Sequence, residues 1–400
     1  MQDHQPDYRI ETDFIGEKEI PAEAYYGINA LRGQENFDIS DDRADHIMIK
    51  TMAWVKKACA MANNDSGKMD KNMANAISAA CDMLAEGAYD DQFIVDPIQG
   101  GGGTSFNMNA NEVLANIVLE KLGHCKGKYE IVGPLSHINM SQSTNDVFPT
   151  SINLALIIKL KHLSNALGET IEKLSGLSRD MESTIKMGRT HLNAASPISL
   201  GQSFSAYAAV LTRDLRRIEE ARIGLLTVPL GGTVIGTDLN TTPLYCSSVI
   251  MRLREVSGME VIACGNLADG IQNVDHYTVL SATLKTCALN LSKIASDLRL
   301  MGSDRKFGIG DLTLTPRQLG SSIIEHKVNP VIAELINQVA YSVCGYDLTV
   351  SMAANDGQLE LNVFKPIMTY SLFRAIDTMA GAVEKFNEFC LGAGIDFHPR

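Results

Sequence analysis

Apolar residues recur every three or four positions through most of the chain, which is the spacing of one face of an α-helix. This pattern predicts helices over residues 47–63, 70–85, 105–122, 146–185, 197–226, 273–301, 329–352 and 364–391. The later runs are much longer than the average helix of roughly 12 residues. Strand patterns are weak: only residues 227–230 and 258–261 suggest short extended pieces, and the first 45 residues look irregular. The chain is therefore predicted to be mainly α.

The run at 146–185 carries a seam of leucines. They are separated by four, three, four, seven and three residues, with Thr170 in the slot that lacks a leucine: Leu156, Leu160, Leu163, Leu167, Leu174 and Leu177. A long seam of this kind needs long partners to cover it. Some partners come from this chain and others can come from neighbouring copies. We therefore expect a central bundle of long helices and an obligate oligomer.

Composition narrows the classes of function. With 45% hydrophobic and 20% charged residues in 400, the chain is not of the disordered class. No apolar run approaches the roughly 18 residues of a membrane span, and residues 1–6 are too polar for a secretory signal. A net charge of −12 without a basic cluster disfavours nucleic acid and anionic membranes as partners, although a local site can still bind a small anion.

Cysteine usage points to a reducing compartment. The eight cysteines are widely spaced and form no Cys-x-x-Cys pair: Cys59, Cys81, Cys125, Cys246, Cys264, Cys287, Cys344 and Cys390. Buried free thiols in the cytoplasm are the favoured interpretation, and a zinc cluster is not expected.

Polar segments rich in small residues interrupt the helical pattern, and function concentrates in such loops and helix starts. The first is the glycine run 100–103 before Thr104, and the second is Ser-Gln-Ser-Thr-Asn-Asp at 141–146. Each precedes a predicted helix, whose free N–H groups suit an anion. Helix capping would need only one such residue. The surplus of donors favours an oxyanion pocket, with simple capping as the alternative.

The third segment, Gly-Arg-Thr-His-Leu at 188–192, places His191 before a predicted helix that is capped by Ser196 and has Pro197 in its first turn. Taken alone, a histidine of this kind is more often a packed or surface residue. His191 becomes a candidate functional residue only in combination with the polar segments elsewhere in the chain.

The fourth segment is Gly-Ser-Ser-Ile-Ile-Glu-His-Lys-Val-Asn-Pro at 320–330. Its last two residues are a good cap and first residue for the next helix, so an ordinary capped turn is one interpretation. Lys327 has apolar residues four positions away on either side, so no helical ion pair accounts for it. A serine hydroxyl beside a fixed cation suits carboxylate binding or an activated serine.

These four segments, in this order, resemble the aspartase/fumarase superfamily of lyases. The fourth is similar to the superfamily's signature loop, Gly-Ser-Ser-x-Met-Pro-x-Lys-x-Asn-Pro, and the likeness runs from about residue 10 to residue 391. Residues 25–32, 91–100, 141–146 and 355–362 are most similar to the aspartate ammonia-lyase branch. The resemblance implies an aspartase/fumarase-like fold with a homotetrameric core, in which each active site draws segments from three subunits.

The resemblance also implies a chemistry: elimination of ammonia from L-aspartate to give fumarate through an aci-carboxylate intermediate. Ser321 would be the general base, and His191 would face the amine and be supported by Glu334. The implied substrate-binding residues are Thr104, Ser143, Thr144, Asn145, Thr190, Ser322, Lys327 and Asn329. No metal or organic cofactor is implied. The expected partners are a small dicarboxylate or amino-acid substrate and further copies of the chain.

Three regions follow from this resemblance. Residues 1–144 form a mostly helical N-terminal domain, and residues 145–392 form the long-helix domain with the catalytic loop at 317–330. Residues 393–400 form a short tail where relatives carry a further small helical domain.

Several positions depart from the family pattern. Ile324-Glu325-His326 replaces Met-Pro-x, which removes a rigid residue and adds a carboxylate near Lys327. Asn193-Ala194 replaces Gln-Asp, and Asp238 replaces a glycine. A lyase for another substituted succinate, such as an N-substituted aspartate or malate, and a catalytically inactive homologue therefore stay open as alternatives.

Overall fold

The structure is a computed structural model that describes residues 8–392 and 395–397. Long helices dominate it, which confirms the mainly α prediction. The helices are α1 (Ile28–Asn36), α2 (His46–Asp65), α3 (Lys71–Ala85), α4 (Thr104–Lys121), α5 (Thr144–Asp180), α6 (Leu200–Gly224), α7 (Pro243–Ser257), α8 (Leu267–Gln272), α9 (Asp275–Met301), α10 (Val331–Asn355) and α11 (Lys365–Phe386). A turn of π-helix, Asn387–Leu391, continues α11.

The strands are short and pair two by two. The antiparallel pairs are β1 (Tyr8–Thr12) with β2 (Glu17–Pro21), β3 (Ile185–Thr190) with β4 (Asn193–Ser199), and β7 (Leu312–Leu314) with β8 (Ile395–Phe397). The parallel pair is β5 (Thr227–Val228) with β6 (Ile262–Ala263). None of these pairs extends into a larger sheet within the described ranges.

The chain divides into two compact units that alternate along the sequence. The first comprises Met1–Ile157, Gly224–Asp275 and Ser351–Tyr370, and the second comprises Ile158–Ile223, His276–Val350 and Ser371–Arg400. The division into domains at residues 144 and 392 stays a prediction. Of the expected tail, 395–397 form β8, whereas 393, 394 and 398–400 lie outside the described residues, as does the N-terminal segment 1–6.

In the first unit, α2 is the central helix. One face of it is fully buried, with Ile49, Met52 and Val55 inaccessible to solvent, and it packs against α3 and α7. Asp45 caps its start by accepting a hydrogen bond from the backbone N–H of Ile47. Through Lys56 and Asn63, this helix also contacts residues 139–142, which lead into α5.

In the second unit, polar side chains bridge the long helices. Lys159 of α5 donates to Asp377 of α11 at 2.8 Å, and Ser164 of α5 donates to Glu219 of α6 at 2.8 Å. The Thr170 hydroxyl donates to the Ala166 carbonyl and lies 2.8 Å from Asn387 Oδ1. The polar slot in the leucine seam is thus a hydrogen-bonded bridge, and the leucines up to Leu174 are buried.

The structure corrects several predicted elements. The first 45 residues are not irregular, because they contain the β1–β2 hairpin and α1. The helix predicted from 197 begins at Leu200, and residues 193–199 form a strand instead. Sequence periodicity missed α7, although its cap signals were present: Thr242 accepts from Tyr245 N, Pro243 opens the helix, and Gly258 ends it with a φ of 68°.

Gly201 marks a tight approach in the second unit, where α6 begins beside the end of α5. A β-carbon at this position would lie 2.8 Å from Glu182 Cα and would also collide with the Ser178 carbonyl oxygen. We predict that Gly201→Ala lowers the free energy of unfolding by about 1–3 kcal/mol, because backbone atoms must shift to admit the methyl group. Urea unfolding followed by circular dichroism measures the change.

Gly224→Ala is the matched control at the other end of α6. A β-carbon there meets nothing within 4 Å, so this variant should be neutral or more stable by up to about 1 kcal/mol. Equal destabilisation by both substitutions would contradict the packing described for Gly201.

Candidate active site

The glycine run 100–103 places the start of α4 close to α5 in the first unit. Gly101, Gly102 and Gly103 all have positive φ, with Gly103 at 96°. A β-carbon on Gly103 would lie 2.5 Å from Phe148 Cδ1 of α5. Only glycine permits this approach. Thr104 then opens α4 with an exposed side chain, whose hydroxyl donates to the Gly101 carbonyl at 2.8 Å.

Asp146 shapes the segment at the start of α5. Its fully buried carboxylate accepts hydrogen bonds from the backbone N–H groups of Ser143 at 2.9 Å, Gly231 at 3.0 Å and Thr233 at 3.1 Å. Burial raises the pKa of this carboxyl to about 6, against the opposing effect of those hydrogen bonds. Asp146 therefore reaches back from the first turn of α5 to the backbone of the residue before the helix, while Ser143 caps that helix through its side chain. The roles of Ser143, Thr144 and Asn145 towards a ligand stay a prediction.

The three residues before Asp146 each have a defined hydrogen-bonding state. Asn145 Nδ2 donates to the Val234 carbonyl at 2.7 Å, so the amide is oriented by a fixed acceptor. Thr144 Oγ1 accepts from Asn107 Nδ2 at 3.0 Å. Ser143 Oγ accepts from the backbone N–H of Asn145 at 3.2 Å. The loop backbone and α4 thus hold all three side chains.

In the second unit, residues 320–329 form a closed loop. Gly320 N donates to the Lys327 carbonyl at 2.9 Å, and Asn329 Nδ2 donates to the Gly320 carbonyl at 2.7 Å. A β-carbon on Gly320 would lie 2.5 Å from that Lys327 oxygen. Asn329 therefore closes the loop instead of capping the next helix, which begins one residue after Pro330, at Val331.

Ser321 lies inside this closure. Its Oγ accepts hydrogen bonds from two backbone N–H groups, those of Ile323 at 3.1 Å and Ile324 at 2.9 Å. Donors aimed at an oxygen favour its negatively charged form. The turn therefore provides a local setting that suits an ionised hydroxyl. Ser322 and Lys327, on the same loop, are exposed.

His191 lies at the tip of the β3–β4 hairpin, not before a helix. His191 and Leu192 have φ values of 53° and 63°, as a two-residue hairpin turn requires. Pro197, expected in the first turn of a helix, instead faces Met187 across a two-stranded ribbon, where the missing N–H is tolerated. The turn exposes the imidazole, and Thr190 directly precedes it.

One ion pair anchors this hairpin. Arg189 Nη1 lies 2.8 Å from Asp311 Oδ2, and the Asp311 side chain is only 6% exposed. Lys186 Nζ lies 4.0 Å from the same carboxylate, and its pKa is lowered by burial. The hairpin is thus tied to residue 311, ahead of the loop that contains Ser321.

The structure gives the surroundings of Glu334 and of the Glu325-His326 pair. Glu334, assigned to support His191, lies 3.6 Å from Arg299 within this chain, and its support of His191 stays a prediction. The substituted pair Glu325 and His326 is almost fully exposed, with 3.6 Å between Oε1 and Nε2, and His326 has a φ of 64°. The family departures therefore place two ionisable groups at the surface of the loop.

The structure thus gathers the candidate residues into two groups. Thr104, Ser143, Thr144 and Asn145 belong to the first unit, and Thr190, His191, Ser321, Ser322, Lys327, Asn329 and Glu334 belong to the second. Lys56, Asn107 and Asn139, which contact or underlie the first group, had not been identified as functional from the sequence. Lys56 and Asn107 are polar residues at buried helical positions, whereas Asn139 lies in a half-buried turn that carries no such signal.

The described ranges offer no further ligand chemistry of the metal-binding kind. No cluster of three or more His, Cys, Asp or Glu residues there is arranged to hold a metal ion. The eight cysteines are free, as expected; Cys59, Cys81, Cys287 and Cys390 are buried, but Cys125 is exposed. Across residues 8–392 and 395–397, no helix combines the length and apolar character that crossing a bilayer demands.

Arg189→Met tests the anchoring of the hairpin. Removing the guanidinium leaves the buried Asp311 carboxylate without its closest cation, which typically costs about 3–5 kcal/mol. We predict a loss of about 2 kcal/mol or more in the free energy of unfolding, because Lys186 compensates in part. Urea unfolding measures the change in the free energy of unfolding.

The control is Arg216→Met, which removes an ion pair to Glu220 whose two side chains are 70% and 63% exposed. Its expected effect is below about 0.5 kcal/mol. A similar loss in both variants would show that Asp311 does not depend on Arg189.

Comparison with known proteins identifies the family of the chain. A family model described as Lyase matches residues 16–345. The aspartate ammonia-lyase of Bacillus subtilis (strain 168) is 48% identical, over 98% of this chain and 82% of that protein. The aspartate ammonia-lyase of Helicobacter pylori (strain J99) is 44% identical, over 96% of this chain and 82% of that protein.

Solved structures agree with the sequence relatives. The fumarate lyase:delta crystallin from Brucella melitensis bound to cobalt superposes with a TM-score of 0.96 at 44% identity, over 98% of this chain and 85% of that one. The recombinant class II fumarase from Schistosoma mansoni has a TM-score of 0.95 at 28% identity, with the same coverage of 98% and 85%. This chain therefore belongs to the lyase family of the aspartase/fumarase superfamily.

Proposed function

We propose that this protein eliminates ammonia from L-aspartate to give fumarate. Relatives with 48% and 44% identity over nearly the whole chain are aspartate ammonia-lyases. The observation that carries the proposal is the closed loop around Ser321, where two backbone N–H groups point at a serine oxygen and a lysine lies six residues later.

Ser321 is the general base in this proposal. It takes the proton from Cβ of aspartate, a double bond forms between Cα and Cβ, and the amine leaves Cα with the electron pair of the C–N bond. A serine hydroxyl is ordinarily too weakly acidic to lose its own proton near neutral pH. The backbone N–H groups of Ile323 and Ile324 stabilise the Ser321 alkoxide by donating two hydrogen bonds to its oxygen.

The β-carboxylate gains a second negative charge as the Cβ proton leaves. Each preorganised donor aimed at such a charge contributes roughly 3–4 kcal/mol to lowering the barrier. Thr104, Ser143, Thr144 and Ser322 are the donors in this proposal. Thr104 donates to Gly101 in the free chain, so its hydroxyl must turn towards the substrate.

Thr190, Lys327 and Asn329 bind the α-carboxylate, and Asn145 and His191 face the amine. The state of Asn145 supports its role: because its Nδ2 donates to the Val234 carbonyl, its Oδ1 remains an acceptor for an ammonium group. Glu334 supports His191. These roles need no contribution from a metal or an organic cofactor.

The active enzyme in this proposal is a homotetramer whose sites combine segments of different subunits. An apolar stripe on α10 supports association, because Tyr341, Leu348 and Met352 recur at helical spacing and are 66%, 61% and 63% exposed. The substrate is a small amino acid, and neither nucleic acid nor membrane is a partner. The eight free cysteines support a cytoplasmic location.

The position of Glu325 supports a second candidate function. Glu325 adds an exposed carboxylate two residues from Lys327, where the family pattern has proline. A negative charge there opposes the binding of a bare dicarboxylate but suits a substrate with an additional cationic group. A lyase for another substituted succinate, such as an N-substituted aspartate, is therefore the alternative, and malate is tested with it.

Ser321→Ala tests the base. We predict that fumarate formation, followed by ultraviolet absorbance, falls by at least about 1,000-fold, because no other group replaces the alkoxide. Light scattering should show an unchanged oligomer. Ser247→Ala removes an exposed serine of α7 and should leave turnover unaltered. Unchanged turnover in Ser321→Ala would remove Ser321 as the base.

Glu325→Gln separates the two candidate substrates. For aspartate, removing the charge near Lys327 should lower KM by about two- to fivefold, and salt should reduce the difference. For a substrate with an extra cationic group, the same change should raise KM. Glu172→Gln, at an exposed position of α5, is the charge-matched control.

The assay panel contains L-aspartate, L-malate and N-substituted aspartates. Turnover of malate or an N-substituted aspartate without turnover of aspartate would replace the first proposal with the second. No alkene from any of them would indicate an inactive homologue.

A further inference from the structure

Lys56 is a fully buried lysine of α2 that lies beneath the segment leading into α5. Its Nζ donates to Asn139 Oδ1 at 2.9 Å and to Gln142 Oε1 at 2.9 Å. Burying an ammonium group is costly and needs compensation. Burial lowers the pKa of Lys56 to about 8, so it stays protonated near neutral pH, with Asp146, Cys59 and Cys81 facing it.

A protonated lysine can only donate hydrogen bonds. Each amide that faces it must therefore turn its oxygen, not its NH₂ group, towards Nζ. Gln142 conforms, since its Nε2 points away and donates to the carbonyls of Ile138 and Met140. Asn139 conforms as well, with its Nδ2 donating to the Gln142 carbonyl at 3.3 Å. Lys56 thus sets the orientation of two amides.

Asn139 passes this orientation on to α4. Its Oδ1 is the shared acceptor for Asn107 Nδ2 and Asn111 Nδ2, each at 3.3 Å. The second hydrogen of Asn107 Nδ2 points to Thr144 Oγ1 at 3.0 Å. Thr144 therefore acts as an acceptor inside the protein, and its own hydroxyl proton is left for an external acceptor.

This orientation leaves two buried amide oxygens unpaired within the described residues. Asn107 Oδ1 and Asn111 Oδ1 are buried and have no hydrogen-bond partner in the described part of the chain. An orphaned buried acceptor costs about 1–3 kcal/mol. Turning either amide over would instead place two oxygens face to face, because Lys56 already fixes the oxygen of Asn139.

We propose that Lys56 is a positioning residue for the elimination, whose ammonium group orients Asn139 and Asn107 so that the Thr144 proton is available to the substrate carboxylate. This inference rests on the proposed function of Thr144 as a β-carboxylate donor. Lys56 itself touches no substrate. With a neutral residue at position 56, Asn107 can turn over, and its oxygen then accepts the Thr144 proton that the substrate needs.

A double-mutant cycle tests the inference in the full-length protein. Lys56→Met should lower kcat and kcat/KM for L-aspartate by about 10- to 100-fold, part of the roughly 100- to 1,000-fold expected for Thr144→Val, which removes the donor outright. In the Thr144→Val background, Lys56→Met should have less than about a threefold further effect, because its target is already gone.

Lys57→Met is the matched control on the same helix. It removes a lysine whose ion pair with Asp82 is partly exposed, and turnover should be unchanged. Losses in the double variant that equal the product of the single losses would overturn the proposal, since they indicate a general structural effect. Full activity of a folded Lys56→Met protein would overturn it as well.

Asn139 provides a second route if Lys56→Met does not fold. Asn139→Asp keeps an oxygen facing Lys56, Asn107 and Asn111 but gives up the donation to the Gln142 carbonyl, so it should retain at least about fivefold more turnover than Asn139→Leu, which should match the loss predicted for Lys56→Met. Equal activity of the Asp and Leu variants would overturn the proposal.

The role of Lys56 can also be tested if the proposed elimination activity is wrong. If the wild-type protein turns over no substrate of the panel, the same cycle is measured as the affinity for succinate, a non-reacting dicarboxylate, by calorimetry. Loss of affinity in Lys56→Met but not in the Thr144→Val background supports the inference without any turnover. Additive losses, or no succinate binding by the wild type, overturn it.

Discussion

A proton on a carbon atom next to a carboxylate leaves only if the carboxylate can take up a second negative charge. Water does this poorly, so a protein must hold several donors in place beforehand. In the proposed function, the described residues meet this constraint with backbone geometry first. The glycine run 100–103 lets α4 begin against α5, the Asp146 carboxylate holds backbone N–H groups, and the turn at 320–329 is closed by its own backbone, while Ser322 and Lys327 stay exposed. The proposed chemistry depends on a backbone that is held by its own contacts while side chains face the substrate.

The long helices serve the same end. In the first unit, α2 and α4 lie beneath the loops and contribute buried polar side chains, so the loop positions are determined from within the core. In the second unit, bridges such as Lys159 to Asp377 and Ser164 to Glu219 connect helices at defined positions along their axes. Such bridges fix register between helices that leucines alone would hold less specifically. Loops carried by a rigid scaffold keep their geometry to the fraction of an ångström that catalysis requires.

Sequence reasoning worked where local signals and packing agreed. The long helices and the four polar segments were predictable, because periodicity and caps are local properties. It failed at residues 193–199, where Ser196 and Pro197 matched a helix start but tertiary pairing with β3 formed a hairpin. It also missed Lys56, since nothing local distinguishes a lysine that reaches into the core from one that reaches solvent. The anchoring of Arg189 by Asp311 spans 122 residues and has no local signature.

The proposed function requires that the two groups of side chains reach one substrate from different subunits. Mixing two inactive proteins tests it most directly: Ser321→Ala subunits and Thr144→Val subunits are combined, allowed to exchange, and assayed for fumarate formation. If each site takes these residues from different subunits, an equal mixture should regain about a quarter of wild-type activity, because one site in four receives two intact contributions. Activity that stays at the level of the parent variants, although mass spectrometry detects mixed tetramers, would contradict a site shared between subunits.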